Sequence, residues 1–442
     1  MNPRSSGNDL SGIRNVRRTV GKYPGAGRAA GLERALAYFI VVGSQIPLGS
    51  SQYLRISLAA IIPLLPVFLS GWSRGKWEKC IIALVISSIV SGLLLALKNS
   101  DQSRSFDSRA ALSESLLPLI LVIAAASFYW SYRVLGAKQF LVLWSISAAL
   151  FAPLMGGRFL ENPWKFGLAL PLSLLAIIIA GYYSSKMVTL AIVALMALSA
   201  SLSFRSWLLV LGMALLIHLF RSSKVKAPAS NGRWRKIGIV IALGTATVFG
   251  GNLMSDLALQ GRLGEYAQTR TQQSIEASGN PFFGSRAEWG GAVALAQTEP
   301  LGMGVGIAPS SSDWATTISS LSLTEGLKDR SNVADSFRAG RIEFHSTLWN
   351  YWSYFGLAGA ALSGFAIYFL FKAVLSLHTY TSNRIGIPVG ALAVLFTGAI
   401  WDILFSPVNS WTLAFALVVC VAVIRMEAEA HTAANAEKDA PK

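Results

Sequence analysis

Apolar stretches of about 20 residues recur along almost the whole chain, and each is long enough to cross the hydrocarbon core of a bilayer as a helix. Short polar connections separate these stretches. The pattern predicts an all-α polytopic membrane protein with roughly twelve transmembrane helices. The predicted spans are 35–50, 53–71, 80–97, 112–130, 139–156, 165–183, 187–201, 204–220, 237–254, 357–377, 386–404 and 408–425.

One long polar stretch, residues 255–345, interrupts this pattern and predicts a single large extracytoplasmic loop. Within it, the sequence of 286–298 predicts a short amphipathic helix that Pro300 and the following glycines end. Residues 308–339 show no clear period and predict irregular structure. The predicted organisation is a disordered basic cytoplasmic tail over 1–34, transmembrane helices 1–9 over 35–254, the large loop over 255–345, a re-entry helix with transmembrane helices 10–12 over 346–425, and a cytoplasmic tail over 426–442.

The net charge of +16 is unevenly distributed. Lys and Arg concentrate in the N-terminal tail and in every second connection, and Glu78 is the one acid among those connections. By the positive-inside rule these connections are cytoplasmic, which places the large loop on the outer side. Because the rule accounts for the charge, we expect no nucleic-acid partner. The basic connections are 73–79, 132–138, 184–186, 221–236 and 372–384.

His345 is the first candidate for chemistry, because it lies at the edge of the predicted outer loop with Arg341 and Glu343 beside it. An imidazole has an unperturbed pKa near neutrality and can accept a proton from an attacking hydroxyl. The alternative is an interfacial histidine that hydrogen-bonds the loop. Trp349 and Trp352 follow at helical spacing, and their rings are either a platform for sugar faces or anchors at the membrane interface.

Four arginines lie near the predicted outer surface, namely Arg55, Arg158, Arg205 and Arg286. Taken singly, each is an arginine that extends towards the interface. Several on one side can instead form a bidentate clamp for a phosphate or diphosphate. The chain has no DxD pair, HxxxH, CxxC or P-loop, and its two cysteines have no ligand spacing, so we expect no metal and no cofactor.

Three short pieces of the sequence resemble motifs of the bacterial O-antigen ligase and O-antigen polymerase (Wzy/WaaL-like) superfamily. The overall layout, with its large loop before the last three spans, is also similar to that family. One departure is Ser346, where the family often has Asn. The pieces are Ser203-Phe-Arg205-Ser-Trp207 (similar to S-x-R), Arg286 and Trp289 followed by LGMGVG (similar to Arg–aromatic–Gly), and FHSTL followed by YFGLAG over 344–359 (similar to H-N-x-x-L…G-x-x-G).

The resemblance implies a membrane fold similar to the C-type (GT-C) glycosyltransferases and a metal-independent, inverting transfer from a polyprenyl-diphosphate donor. Arg205 and Arg286 would bind the donor diphosphate and stabilise the leaving group. His345 would position or deprotonate the acceptor hydroxyl. To substrate binding we assign Arg55, Arg158, Arg341, Glu343, Trp349 and Trp352.

The expected activity is the transfer or polymerisation of undecaprenyl-diphosphate-linked glycan repeat units on the outer face of the bacterial cytoplasmic membrane. One alternative is a ligase that transfers the glycan to a lipid A core. Another, from a different class, is a transporter of lipid-linked oligosaccharides, which should show internal symmetry and charged or broken helices at mid-membrane. The expected partners are the lipid-linked glycan, a sugar acceptor, the bilayer, and a flippase or chain-length regulator.

Overall fold

The structure, a computed structural model, describes residues 26–49, 51–101, 103–156, 158–202, 204–222, 252–253, 255–262, 264–278, 288–321, 332–377, 386–407 and 409–438. These residues are mostly helical. The strands among them form one antiparallel hairpin, β1 (Pro47–Leu48) and β2 (Ser51–Arg55). The first nine helices are α1 (Ala26–Gly43), α2 (Leu58–Trp72), α3 (Lys76–Asn99), α4 (Ser108–Leu135), α5 (Ala137–Phe151), α6 (Arg158–Glu161), α7 (Ala169–Tyr183), α8 (Ser185–Ser201) and α9 (Arg205–Ser222).

The later helices divide into four short ones and three long ones. The short helices belong to the predicted large loop and its edge. A 3₁₀ turn follows α5 and a π-helical stretch precedes α7. The later helices are α10 (Glu265–Ser278), α11 (Glu288–Thr298), α12 (Ser311–Ser319), α13 (Asn332–Arg338), α14 (Thr347–Ser376), α15 (Val389–Phe405) and α16 (Ser410–Lys438).

Five helices are long and apolar enough to cross a membrane, and five shorter helices are also apolar. This composition is compatible with the predicted polytopic membrane protein. The count of twelve spans stays a prediction, because most of the ninth, 237–254, lies outside the described residues. The long spans are Lys76–Asn99, Ser108–Leu135, Ala137–Leu154, Trp164–Tyr183 and Thr347–Ser376.

Several element boundaries differ from the predicted ones. Residues 26–34 of the predicted disordered tail are the first turns of α1, and α16 continues beyond its span to Lys438. The hairpin between α1 and α2 was not predicted. The predicted re-entry helix and tenth span are one element, α14, which is interrupted at Gly356 by a backbone φ of 63°.

The end of the bundle at which α3 ends and α4, α9 and α14 begin carries the described parts of the polar stretch between α9 and α14, and we call it the loop end. At the opposite end, Glu78 is fully buried in the first turn of α3 and pairs with Arg425 of α16, which also donates to the Tyr129 hydroxyl. The one acid among the predicted cytoplasmic connections therefore neutralises a basic side chain. A buried charge requires such a partner.

Residues 302–307, which we call the glycine segment, lie buried and non-helical at the loop end between α3, α4 and α14. The N–H groups of Met303 and Gly304 both donate to the Ser353 carbonyl of α14, at 2.8 and 3.0 Å. Gly304 has a φ of 103°, and a Cβ there would lie 2.3 Å from the backbone nitrogen of Ala96. Only glycine allows this approach of the segment to α3.

The loop end is more ordered than the sequence predicted. The prediction of a helix over 286–298 is confirmed for 288–298 as α11. The prediction of irregular structure over 308–339 is wrong for α12 and α13. A capping box begins α12: the Asp313 N–H donates to Ser310 Oγ at 3.2 Å, and the Ser310 N–H donates back to the Asp313 carboxylate at 2.8 Å.

Candidate functional site

His345 lies at the loop end on a short non-helical run that leads into α14. Its side chain is half-buried, and no hydrogen bond or ion pair joins its ring to the part of the chain that the structure describes. The spacing predicted that His345 shares a helical face with Trp349 and Trp352. This is wrong, because α14 begins at Thr347 and His345 lies outside it. The imidazole is thus presented from a turn and can contact a ligand.

The residues on either side of His345 are fixed. Ser346 is the N-cap of α14, and its hydroxyl accepts a hydrogen bond from the Trp349 N–H at 3.4 Å. The Phe344 ring is buried, and the Phe344 N–H donates to the Asn350 side-chain oxygen at 2.7 Å. Ser and Asn are both favoured at N-caps, so the departure at Ser346 preserves this local role.

Charged side chains from separate segments gather around the Tyr354 hydroxyl. Arg341, Glu343 and Glu114 of α4 all lie within electrostatic range of the buried Tyr354 hydroxyl of α14. The Glu114 carboxylate also accepts a hydrogen bond from the Gly306 N–H at 2.7 Å. We call Glu114, Arg341, Glu343 and Tyr354 the charged cluster. The structure thus brings together two predicted substrate-binding residues.

Glu114 was not among the predicted site residues, although the sequence carried a signal for it. It lies inside a predicted span, 112–130, where an ionisable side chain usually has a function or a partner. Glu114 accepts a hydrogen bond from the Gly306 N–H of the glycine segment, and this bond gives Glu114 a structural role. Its proximity to Arg341 makes it part of the site as well.

Arg55 is buried at the end of β2, on the strand that also carries Tyr53. The Trp411 indole N–H donates to the Tyr53 carbonyl at 2.8 Å, which ties the hairpin to the start of α16. Tyr53 is in electrostatic range of Tyr354. The hairpin therefore adjoins the charged cluster, and Arg55 lies buried at the loop end.

Arg205 is the first residue of α9, and its guanidinium donates to the Thr271 hydroxyl of α10. The Trp207 ring lies against Gly398 at the middle of α15. Arg158 begins α6, but its side chain is outside the described part of the structure, as is the whole of Arg286. The convergence of Arg205, Arg286 and His345 therefore stays a prediction.

The two predicted tryptophans differ in exposure. Trp349 is half-buried and contacts the Trp289 ring edge-on, with centroids 5.8 Å apart. Trp289 in turn packs against Phe405 at the end of α15. Trp352 is 4% exposed, and its indole N–H donates to the Pro300 carbonyl at 3.3 Å. In this structure Trp352 packs the loop, whereas Trp349 and Trp289 reach the surface near His345.

Among the described residues, no three His, Cys, Asp or Glu side chains gather as a metal site would require. Comparisons with protein-family models, with curated proteins and with solved structures find no match for this chain. An assignment of function therefore depends on the residues and geometry of the loop end.

Proposed function

We propose that this protein is a membrane glycosyltransferase that transfers or polymerises undecaprenyl-diphosphate-linked glycan repeat units on the outer face of the bacterial cytoplasmic membrane. The observation that carries the proposal is the placement of His345. Its half-buried ring lies on a non-helical run between two anchored neighbours, and Arg341 and Glu343 of the charged cluster precede it in the same run. Anchored neighbours hold a reacting group in position, which catalysis requires.

In the proposed reaction, an acceptor sugar hydroxyl attacks the anomeric carbon of the donor glycan. His345 accepts the hydroxyl proton as the new C–O bond forms. The bond between the anomeric carbon and the diphosphate oxygen breaks on the opposite face, so the configuration inverts. Arg205 and Arg286 stabilise the negative charge that develops on the leaving diphosphate, as bidentate arginines can without a metal.

The other predicted site residues would bind the substrates. Arg55, Arg158 and Arg341 provide positive charge for the donor phosphates. Glu343 can accept hydrogen bonds from sugar hydroxyls. The Trp349 ring reaches the surface and can stack on the apolar face of a sugar. The Trp352 ring packs edge-on against the Trp349 ring.

The orientation of the protein in the membrane follows from its charges. The connections opposite the loop end carry the basic residues Arg74, Lys76, Arg133, Lys138 and Lys186. Since such connections stay in the cytoplasm, the loop end faces the periplasm or exterior. A lipid-linked donor is available on that side, which agrees with the proposed substrate.

The test is in vitro turnover. Purified full-length protein in lipid nanodiscs is incubated with an undecaprenyl-diphosphate-linked repeat unit in EDTA, with and without a lipid A core acceptor, and the products are separated by mass. Longer lipid-linked glycans would support a polymerase, and transfer only in the presence of lipid A core would support a ligase. Unchanged donor in both reactions would refute the enzyme and favour a transporter.

A further inference from the structure

A cavity of about 470 Å³ opens at the end of the bundle opposite the loop end, where α4 ends, α5 begins and α7 ends. Its volume is within the range of ligand-binding pockets, about 300–1,000 Å³. Gly136, with a φ of 77°, makes the turn from α4 to α5 beside it. None of the residues that line it was among the predicted site residues. The lining includes Leu135, Lys138, Gln139, Val142 and Tyr182.

Lys138 gives the cavity a positive charge. Its Nζ lies 3.8 Å from the centroid of the Tyr182 ring, and this cation–π contact holds the ammonium beside the cavity. Among the described residues, no carboxylate lines the cavity or forms an ion pair with this ammonium. An ammonium has three N–H donors, and contact with one ring face does not use all of them. Lys138 can therefore donate to an anionic oxygen in the cavity.

Gln139 adds a neutral hydrogen-bonding group beside Lys138. Its Nε2 donates to the Tyr38 hydroxyl of α1, which fixes the position of the amide. No other hydrogen bond joins this amide to the part of the chain that the structure describes. The amide therefore keeps one N–H donor and its oxygen for a ligand. An ammonium next to a neutral amide suits a phosphodiester with ester or hydroxyl groups around it.

An exposed apolar surface continues from the cavity along both of its helices. Ile146 lies one helical turn after Val142 on α5, and Ile179 lies one turn before Tyr182 on α7. Both isoleucines are exposed, and α5 packs against α7. Tyr182 is also exposed, as is typical of a tyrosine at a membrane interface. A ligand with an anionic head and apolar chains can use both the cavity and this surface, whereas a water-soluble anion can use only the cavity.

The charge at this end of the bundle favours an anionic lipid. The two connections beside the cavity, 132–138 and 184–186, carry Arg133, Lys138 and Lys186 and no acid. Basic pockets between transmembrane helices on the cytoplasmic side bind anionic lipid headgroups. In the orientation proposed above, this end of the protein is the cytoplasmic one.

We infer that this cavity binds the headgroup of an anionic phospholipid from the leaflet at this end. Lys138 donates to the phosphate oxygens, and Gln139 pairs with the glycerol part of the lipid. The acyl chains follow the apolar surface past Ile146 and Ile179. This inference goes beyond the proposed function and does not depend on the chemistry at the loop end.

The test titrates detergent-purified full-length protein with phosphatidylglycerol, and with phosphatidylcholine of the same acyl chains, and measures the first bound lipid by native mass spectrometry. We expect the wild type to prefer phosphatidylglycerol. Lys138→Gln should weaken that binding about fivefold or more, because one basic residue near the membrane surface is lost. The control is Lys186→Gln, which removes the same charge from an exposed position outside the cavity lining. Equal weakening in the two variants, or no preference in the wild type, would overturn the inference.

A second measurement locates the lipid and identifies its source. Wild-type protein in nanodiscs is photo-cross-linked to a phosphatidylglycerol that carries a diazirine near the headgroup, and the labelled peptides are mapped. Labels on 135–146 or 179–182 would support the cavity, and labels confined to other segments would overturn it. Glycerol phosphate, which has the headgroup chemistry but no chains, should compete only weakly for the site. Competition as strong as that of unlabelled phosphatidylglycerol would assign the cavity to a soluble phosphate and overturn the lipid.

Discussion

The Arg104 guanidinium donates to both carboxylate oxygens of Asp313, at 2.8 and 2.7 Å, although 209 positions separate the two residues. Arg104 also donates to Glu299 at 2.7 Å. These bonds join the connection between α3 and α4 to the segments on both sides of the glycine segment. We call Arg104, Asp313 and Glu299 the clamp, and it holds the loop end onto the bundle.

We predict that Arg104→Ala lowers the free energy of unfolding by about 3 kcal/mol, because it leaves the Asp313 carboxylate buried and unpaired. The Asp313 side chain is 4% exposed and that of Arg104 is 13% exposed. Thermal unfolding of the purified protein measures the change. The control is Arg338→Ala, whose partner Asp335 is 68% exposed and whose loss should cost about 0.5 kcal/mol or less. Equal losses in the two variants would contradict the clamp.

The clamp also predicts a dependence of stability on pH. Burial alone would raise the pKa of Asp313, but hydrogen bonds from Arg104 and Ser310 outweigh it and hold the pKa below its usual value. The stabilisation is therefore present above the unfolded pKa of about 3.9 and is lost as the pH falls through the lower folded value. We expect the midpoint of thermal unfolding to fall below about pH 4 in the wild type. Asp313→Asn should flatten this acid limb of the curve, and an unchanged limb would count against the assignment.

Gly304 provides a test of the glycine segment. Gly304→Ala places an L-residue at a positive φ, which costs about 1–2 kcal/mol. It also places a Cβ against the backbone of α3, which costs about 1–3 kcal/mol more. Gly340→Ala is the control, because Gly340 has a φ of 70° but no atom nearer than 3.9 Å to the added Cβ. We expect Gly304→Ala to reduce stability more than Gly340→Ala in chemical or thermal unfolding. Equal effects would mean that the close approach is relaxed in solution.

The catalytic assignment predicts that His345→Ala and Arg286→Ala each abolish glycan elongation while protein level and membrane insertion stay normal. Removal of a general base costs about 10²–10⁴-fold in rate. The control is His378→Ala, at a histidine in a predicted cytoplasmic connection, and it should elongate glycans normally. Glycan length is measured in cells by gel electrophoresis. Wild-type glycan from both His345→Ala and Arg286→Ala would refute the assignment.

The apolar helices and α11 could be predicted because their signal is local, with apolar runs of sufficient length and glycines that end a helix. His345 was wrongly placed on a helical face with Trp349 and Trp352, because helical spacing does not mark an N-cap such as Ser346. The nine-residue helix α12 was also missed. Its capping box, from Ser310 to Asp313, was visible in the sequence but is a short signal.

Contacts between distant segments could not be predicted from local patterns. Nothing near Arg104 indicates that Asp313 is its partner. Glu114 lies in a predicted span, so its presence was a signal, but its neighbours depend on how the helices pack. The position of His345 at the edge of the loop was predicted, but the conformation of its segment was not. That conformation depends on the burial of the Phe344 ring and on the hydrogen bond from the Phe344 N–H to the Asn350 side chain, which no local pattern indicates.

The glycine segment has a consequence for biogenesis. The Asn99 side chain donates to the Gly302 and Met303 carbonyls, and Glu114 accepts from the Gly306 N–H, over separations of 192 to 204 positions. During synthesis, α3 and α4 are complete long before those backbone groups exist. The first half of the nascent chain therefore lacks the contacts that the glycine segment makes with α3 and α4 until residues 302–306 have been synthesised. A chain that stalls before residue 302 leaves the Asn99 amide and the Glu114 carboxylate without these three backbone partners.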